Sequence, residues 1–163
     1  MFCVGDKVVH PMHGAGVIAG VVREKVAGST QDYYVFHLSV GSLVLKIPIA
    51  SAQTVGLRPV IRSDEALRLL SALPGLEAEM TSNWNRRYRE NLQRLKSGDL
   101  YEVARVIKGL AHRESQQGLS TGERKMLHTA KQILISEIVL ALGQDYRSVE
   151  DRVGAAMAGE MVI

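Results

Sequence analysis

The chain has 163 residues, of which 46% are hydrophobic and 23% are charged, and its formal net charge at pH 7 is +3. This composition excludes a disordered chain and a collagen-like repeat, and Cys3 has no second cysteine with which to form a bridge. Asp6 and Lys7 stand where a secretory leader needs an apolar run, and charges interrupt the long apolar windows. We therefore expect a cytoplasmic protein without a membrane segment.

Residues 1–60 are predicted to form a small all-β unit, because short apolar runs alternate there with turns that contain glycine. Valine-rich and aromatic runs follow one another between Lys7 and Ile47, and Gly20 marks a bend or bulge in the longest of them. Pro48 ends the last run, because proline has no N–H to donate to a sheet. Several strands in so short a segment favour closure into an SH3-like or Tudor-like barrel, which removes exposed edges.

Residues 61–163 are predicted to form a compact helical domain, because the hydrophobic period changes near residues 55–62 from about two to about 3.6. About five helices are expected from the capping and breaking residues. The first is capped by Ser63 and ends at Pro74-Gly75, the second runs from about Trp84 to Ser97, the third from Asp99 to Gly118, the fourth follows the capping box Ser120–Glu123, and a short one follows Ser148. The sequence thus predicts an α+β fold, a β barrel followed by helices.

Catalysis and metal binding are not predicted. His10, His13 and His37 could converge on zinc, but no cysteine pair and no carboxylate at ligand spacing accompanies them. The glycines at Gly14 and Gly16 are not followed by a helix, so they do not form a dinucleotide-binding turn. The chain also lacks a phosphate-binding loop motif and a nucleophile-elbow motif. We expect neither an enzyme nor a protein with a cofactor.

The segment 84–96 is the most distinctive part of the chain, because it holds five basic residues against one acid, a local charge of +4. The chain's single tryptophan, Trp84, lies at the start of this helix, and arginines follow it directly. A flat ring beside guanidinium groups suits the edge of a DNA duplex, with arginines on phosphates and the ring against a base. The alternative is that Trp84 packs between the two domains while the arginines only solvate the helix.

Five segments carry a family resemblance. Trp84–Arg89 resembles the W-x-R-R-Y-[RK] stretch of the CarD/CdnL regulators, and Gly118–Leu127 is similar to their G-L-S-x-G-E-[KR]-[KR]-M-L. Val4–Pro11 with His13–Gly16 resembles their opening V-G-D-x-V-V-[YH]-P-x-x-G, and Val55–Arg58 resembles their V-G-[LV]-R. The matches occur in the family's order over about residues 2–142.

The resemblance implies a bacterial transcription regulator that lengthens the life of the promoter open complex. Residues 1–60 would form a Tudor-like domain that binds the β subunit of RNA polymerase, and residues 61–163 would contact promoter DNA at the upstream edge of the −10 region. Carried over to this chain, Trp84 is the wedge that enters the splayed minor groove. The basic residues expected to contact DNA are Arg86, Arg87, Arg89, Arg124 and Lys125.

On the polymerase side, Lys46 matches a basic position of the family's interaction strand, but the other basic position is Glu24 here. The neighbours Arg23 and Lys25 are basic, and they point to the opposite face of a regular strand unless a one-residue bulge intervenes. All three basic residues are predicted polymerase contacts, and we expect the chain to act as a monomer. Two alternatives stay open: a generic duplex-DNA-binding module, and a β barrel that binds a different protein partner.

Overall fold

The computed structural model describes residues 1–158 as a sheet followed by a group of helices. The strands are β1 Lys7–His10, β2 Gly14–Val26, β3 Ser29–Leu38, β4 Val44–Pro48 and β5 Arg58–Pro59. The helices are α1 Ala52–Val55, α2 Ser63–Ala72, α3 Trp84–Lys96, α4 Leu100–Gln117, α5 Thr121–Leu142 and α6 Tyr146–Met157. The predicted α+β fold is confirmed, and the five helices α2–α6 follow residue 61 as expected.

The five strands form one antiparallel sheet in the order β4-β3-β2-β1-β5. The register between β2 and β3 shifts between Ile18 and Gly20, next to the predicted bend. One face of the sheet covers a core that includes Ile18, Tyr34 and Phe36, none of which is more than 1% exposed. Gly16 allows this packing, because a Cβ there would lie 2.8 Å from the Phe36 ring.

The helices begin and end close to the predicted signals, because capping side chains satisfy their free N–H groups. Asn83, Asp99 and Ser120 cap α3, α4 and α5 through their side chains, and Gly118 ends α4. The first helix differs slightly from the prediction, since Ser63 is its first residue and Arg62 occupies the cap position. The helices enclose a second hydrophobic core, separate from that of the sheet.

Helix α5 packs against the sheet as well as against the other helices, and its residues 133–138 are all buried. The two approach closely at Gly14, which has φ +95°, and where a Cβ would lie 2.5 Å from the Ser136 hydroxyl. The proposed division of the chain at residue 60 stays a prediction, and residues 159–163 of the predicted second domain lie outside the described residues. Among residues 1–158 no single helix is long and apolar enough to cross a membrane, and α5 with α6 meets that measure only as a pair bent by 119°.

Candidate nucleic-acid interface

Trp84 is fixed at the start of α3 by three neighbours. Its indole Nε1 donates a hydrogen bond of 3.0 Å to the Ser120 hydroxyl. Its ring stacks on Tyr88, with ring centroids 5.1 Å apart and planes inclined by 16°. Gly122, in the first turn of α5, lies against both rings. The indole is therefore held in one orientation by α3 and by the start of α5.

The residue Trp84 is 42% exposed, although its ring is held by these contacts. Tyr88 stacks on one face of the ring, so a further planar partner would have to stack on the other face. All three neighbours lie in the helical part of the chain, so the alternative in which Trp84 packs between the two domains is wrong. An oriented and solvent-facing ring can stack on a planar partner without first losing rotamer freedom.

Arg87 is the predicted DNA contact that the structure contradicts. Its side chain is 1% exposed, and its guanidinium donates two hydrogen bonds to the Glu123 carboxylate, at 2.8 and 3.0 Å. A third nitrogen donates to the carbonyls of Thr81 and Ser82, at 3.1 and 3.0 Å. These bonds use the fork of the guanidinium, so Arg87 joins α3 to α5 beneath Trp84 and is not available to phosphates.

The Arg87–Glu123 pair alters the ionisation of both groups. Hydrogen bonds from Arg87 lower the pKa of Glu123 below its usual range against the opposing effect of burial. The same hydrogen bonds raise the pKa of Arg87. Both side chains therefore stay charged at neutral pH, and the pair is an internal ionic contact between α3 and α5.

The other predicted DNA-contact residues are on the surface. Arg86 is 67% exposed and forms an ion pair of 2.9 Å with Glu90, whose pKa is lowered chiefly by that hydrogen bond. Arg89 is exposed one turn along α3 from Arg86, and the first turns of α5 expose Arg124 and Lys125. We call the group of Trp84, Arg86, Arg89, Arg124 and Lys125 the Trp84 surface. Because Ser120 binds the indole, the basic turn of α5 lies beside the ring.

Helix α5 buries its acidic side chains and exposes its basic ones. Its two acids, Glu123 and Glu137, are both buried, at 1% and 0% exposure. Its exposed titratable side chains are all of the basic type, namely Arg124, Lys125, His128 and Lys131. Since the acids face arginines inside the protein, the outer face of α5 offers positive charge to an anionic partner.

Lys46, on β4, has a different environment. It forms an ion pair with Glu24 of β2, and both side chains are partly exposed, at 50% and 38%. Glu24 therefore shares a sheet face with Lys46 and compensates its charge.

Arg23 and Lys25 lie on the opposite face of the sheet from Lys46, where Arg23 pairs with Asp32 at 2.9 Å. The pairing of β2 with β3 is regular across these residues, and the bulge lies earlier, between Ile18 and Gly20. This bulge therefore does not bring Arg23 and Lys25 to the sheet face that carries Lys46.

Two of the three histidines considered as metal ligands, His10 and His13, contact each other, and His10 also bonds to the backbone. The rings of His10 and His13 are 4.6 Å apart, and His10 Nδ1 accepts a hydrogen bond from the Met12 N–H at 3.1 Å. Burial, and to a lesser extent His13, lowers the pKa of His10 to about 4. Within residues 1–158 no group of three or more His, Cys, Asp or Glu side chains is arranged to hold a metal ion.

Sequence reasoning missed the residues that support the ring, although signals for them exist. Trp84 and Tyr88 are four residues apart, the spacing that brings two side chains together on a helix. Arg87, Asn91 and Leu95 have the same spacing, and all three are buried. That repeat marks the inward face of α3, and Arg87 lies on it.

Comparisons with known proteins match both parts of the chain. Residues 2–61 match the family model "CarD-like/TRCF RID domain", and residues 68–154 match "CarD, C-terminal domain". The chain is also similar to the protein named "Putative transcription factor YdeB" of Bacillus subtilis (strain 168). The two are 31% identical over 143 residues, which cover 88% of this chain and 94% of that protein.

Proposed function

Because the chain belongs to the CarD/CdnL family of transcription regulators, we propose that it binds RNA polymerase through its sheet and stabilises the promoter open complex through the Trp84 surface. The family is one of transcription factors rather than enzymes. The proposed partners are the β subunit of the polymerase and promoter DNA at the upstream edge of the −10 region. The chain would act in the cytoplasm as a monomer.

The observation that carries the DNA half of this proposal is the oriented, half-exposed ring of Trp84 among surface cations. Unstacking a base step in duplex DNA costs a few kcal/mol, and an aromatic ring that fills the opened gap offsets part of that cost. The ring gains this contact with melted DNA and not with an intact duplex. A ligand with such a preference shifts the equilibrium towards the open complex.

The cations of the Trp84 surface supply a contact with the phosphate backbone that does not depend on sequence. Arg89, Arg124 and Lys125 are exposed, and Arg86 keeps a partly compensated charge because of Glu90. So few phosphate contacts give weak affinity for free DNA that falls further with salt. Attachment to polymerase would raise the local concentration of the helical domain at the promoter and compensate for that weakness.

On the sheet, we assign the polymerase contact to the face that carries Lys46, on edge strand β4. Its cation would meet an acidic group of the β subunit, in competition with Glu24. Arg23 and Lys25 lie on the opposite face of the sheet and would contribute only through long-range electrostatic attraction. A Lys46→Glu substitution should reduce recovery of the β-subunit lobe in a pull-down, and undiminished recovery would contradict this contact.

The experiment that tests the proposal is the lifetime of the open complex, measured by competitor challenge with bacterial RNA polymerase and promoter DNA. Trp84→Ala should shorten the lifetime towards that of polymerase alone and leave polymerase binding intact. Tyr101→Ala is the matched control, because Tyr101 is also an exposed aromatic, at 37%, but lies on α4. An unchanged lifetime with Trp84→Ala would refute the wedge.

A comparison of two DNAs separates the wedge from the generic duplex-binding alternative. In the wedge mechanism, Trp84→Ala lowers affinity for a forked duplex far more than for a fully paired one. A generic duplex binder would lose the same factor on both DNAs, since it does not sense strand separation. Neutralising Lys125 should weaken binding to both DNAs about equally and reduce the salt dependence.

A further inference from the structure

A second buried ion pair joins the sheet to the helices. Glu137 of α5 is 0% exposed, and both of its oxygens accept hydrogen bonds of 2.7 Å from the Arg58 guanidinium, on β5. The backbone N–H of Ile61 donates to the same carboxylate at 3.0 Å. The Arg58 side chain also passes the turn between α3 and α4, because a Cβ on Gly98 would lie 3.6 Å from its Nε. One carboxylate thus holds the last strand, the connection to α2 and helix α5 together.

One residue before Glu137, a second set of contacts joins α5 to β2. The Ser136 hydroxyl accepts a hydrogen bond of 2.9 Å from the Ala15 N–H and donates to the Ile133 carbonyl at 3.1 Å. The Ser39 hydroxyl lies between the two elements, 3.0 Å from the Ala15 carbonyl of β2 and 3.4 Å from the Ser136 carbonyl of α5, and can donate to either. Because Gly14 lets the backbone of β2 approach α5 closely, these polar contacts lie in a tight interface. Directional bonds of this kind fix an angle as well as a distance.

The other end of α5 supports Trp84. There Ser120 binds the indole, and Glu123 holds α3 through Arg87. Glu123 and Glu137 are 14 residues apart on one continuous helix, a rise of about 21 Å. The helix therefore links the sheet to the tryptophan, with one buried carboxylate at each end.

We infer that Arg58 and Glu137 are positioning residues that fix the angle between the sheet and α5, and so set where Trp84 stands relative to a polymerase bound to the sheet. This inference rests on the proposed function. A tethered domain gains local concentration only when its geometry permits both contacts at once. Loosening the Arg58–Glu137 pair would leave each partner site intact and reduce their joint action.

The first test uses Glu137→Gln, which keeps the shape of the side chain and removes its charge. The open-complex lifetime gained by adding the protein should fall by about threefold or more, while binding to polymerase alone and to forked DNA alone stays unchanged. Glu65→Gln is the control, because it removes the same charge from a partly exposed side chain of the helical part that pairs with Arg62. That control should leave the lifetime unchanged.

The second readout is the distance between sheet and helices, which a merely stabilising role would not change in the folded protein. Spin labels on the native, exposed Cys3 and on a Gln116→Cys substitution report it by pulsed dipolar spectroscopy. We expect one narrow distance distribution for the otherwise unaltered chain and a broader one with Glu137→Gln. An unchanged width in the folded variant would overturn the inference.

A double substitution covers the case in which Glu137→Gln does not fold. Arg58→Met with Glu137→Met removes both charges and keeps apolar bulk, a change that often preserves stability. A folded double variant should still show the broadened distances and the shortened lifetime. If Trp84→Ala shortens the lifetime but neither Glu137→Gln nor the double variant does, the positioning inference fails alone. If Trp84→Ala has no effect, the proposed function itself fails.

Discussion

The α5 side of the Trp84 surface and the Lys46 face of the sheet contain the same kinds of charged residue in opposite arrangements. Around Trp84 the acid of the nearby α5 turn, Glu123, is turned inward to Arg87, so the neighbouring surface cations Arg124 and Lys125 are not compensated by it. On the sheet, Lys46 meets Glu24 at the surface. The comparison teaches that the charge a surface offers to a partner depends on where its acids lie, and not on the number of its basic residues.

The largest expected effect is on the free energy of unfolding, and it appears when the buried Arg87 and the exposed Arg86 are replaced in turn. Arg87→Met leaves the Glu123 carboxylate buried without its partner, which should lower the free energy of unfolding by about 3–5 kcal/mol. Arg86→Met removes an exposed ion pair and should change the free energy of unfolding little. Urea unfolding of both variants measures the difference. Equal small losses would show that Arg87 is not the internal contact described above.

Acidification tests the same buried pair, because it protonates the Glu123 carboxylate. The pKa of Glu123 is lowered in the folded protein, chiefly by hydrogen bonds from Arg87, from an ordinary value of 4.5. Its contribution to stability is therefore complete above that value and is lost as the pH falls through the lower, folded-state pKa. Glu123→Gln should lose less stability than the unaltered chain in urea titrations below about pH 4.5. Parallel losses in the two proteins would exclude Glu123 as the group responsible.

A smaller effect is expected at Ser120, which supports both a helix and the ring. Ser120→Ala removes the N-cap of α5 and the acceptor of the indole N–H, and should lower the free energy of unfolding by about 1 kcal/mol. The single tryptophan reports the second loss directly, because a ring released from this bond should show lower fluorescence anisotropy. Ser120→Thr keeps the hydroxyl and should restore most of both properties. If the alanine variant kept the original anisotropy, the contacts with Tyr88 and Gly122 would be sufficient to hold the ring.

The smallest effect is expected on the sheet. Glu24→Gln removes an exposed ion pair, so the free energy of unfolding should change by less than about 1 kcal/mol. The freed Lys46 cation should instead increase retention of the β-subunit lobe about twofold, and Lys46→Gln should reduce it. Pull-down with salt titration measures both. Identical retention in the two variants would locate the polymerase contact elsewhere on the sheet.

Much of the fold follows from local signals in the sequence. The caps Asn83, Asp99 and Ser120 and the terminator Gly118 fix the helix ends because each satisfies backbone groups without help from the rest of the chain. The change of hydrophobic period near residue 60 separates strands from helices for the same local reason. The resemblance to the CarD/CdnL family, drawn from motifs near these positions, is confirmed by the comparisons.

The candidate site was predicted less completely, because its geometry depends on contacts between distant segments. The predicted DNA contact of Arg87 is wrong, because adjacency to a tryptophan in the sequence does not determine on which face of the helix an arginine lies. The capping box identified Glu123, but not that its carboxylate would turn to an arginine 36 residues earlier in the chain. Glu137 stands alone in an apolar run, and its partner Arg58 is 79 residues away. No local pattern specifies such a pair.

The interval between the two buried acids of α5 has a consequence for how this helix can change in evolution. Fourteen residues advance the side chains by nearly four turns, so Glu123 and Glu137 emerge about 40° apart around the axis. Deleting or inserting one residue between them would rotate one end relative to the other by about 100° and carry a carboxylate away from its arginine. Substitutions along the outer face leave this phase untouched. We therefore expect homologous chains to conserve the length of the interval and to vary mainly at the exposed positions of α5 outside the Trp84 surface, such as His128.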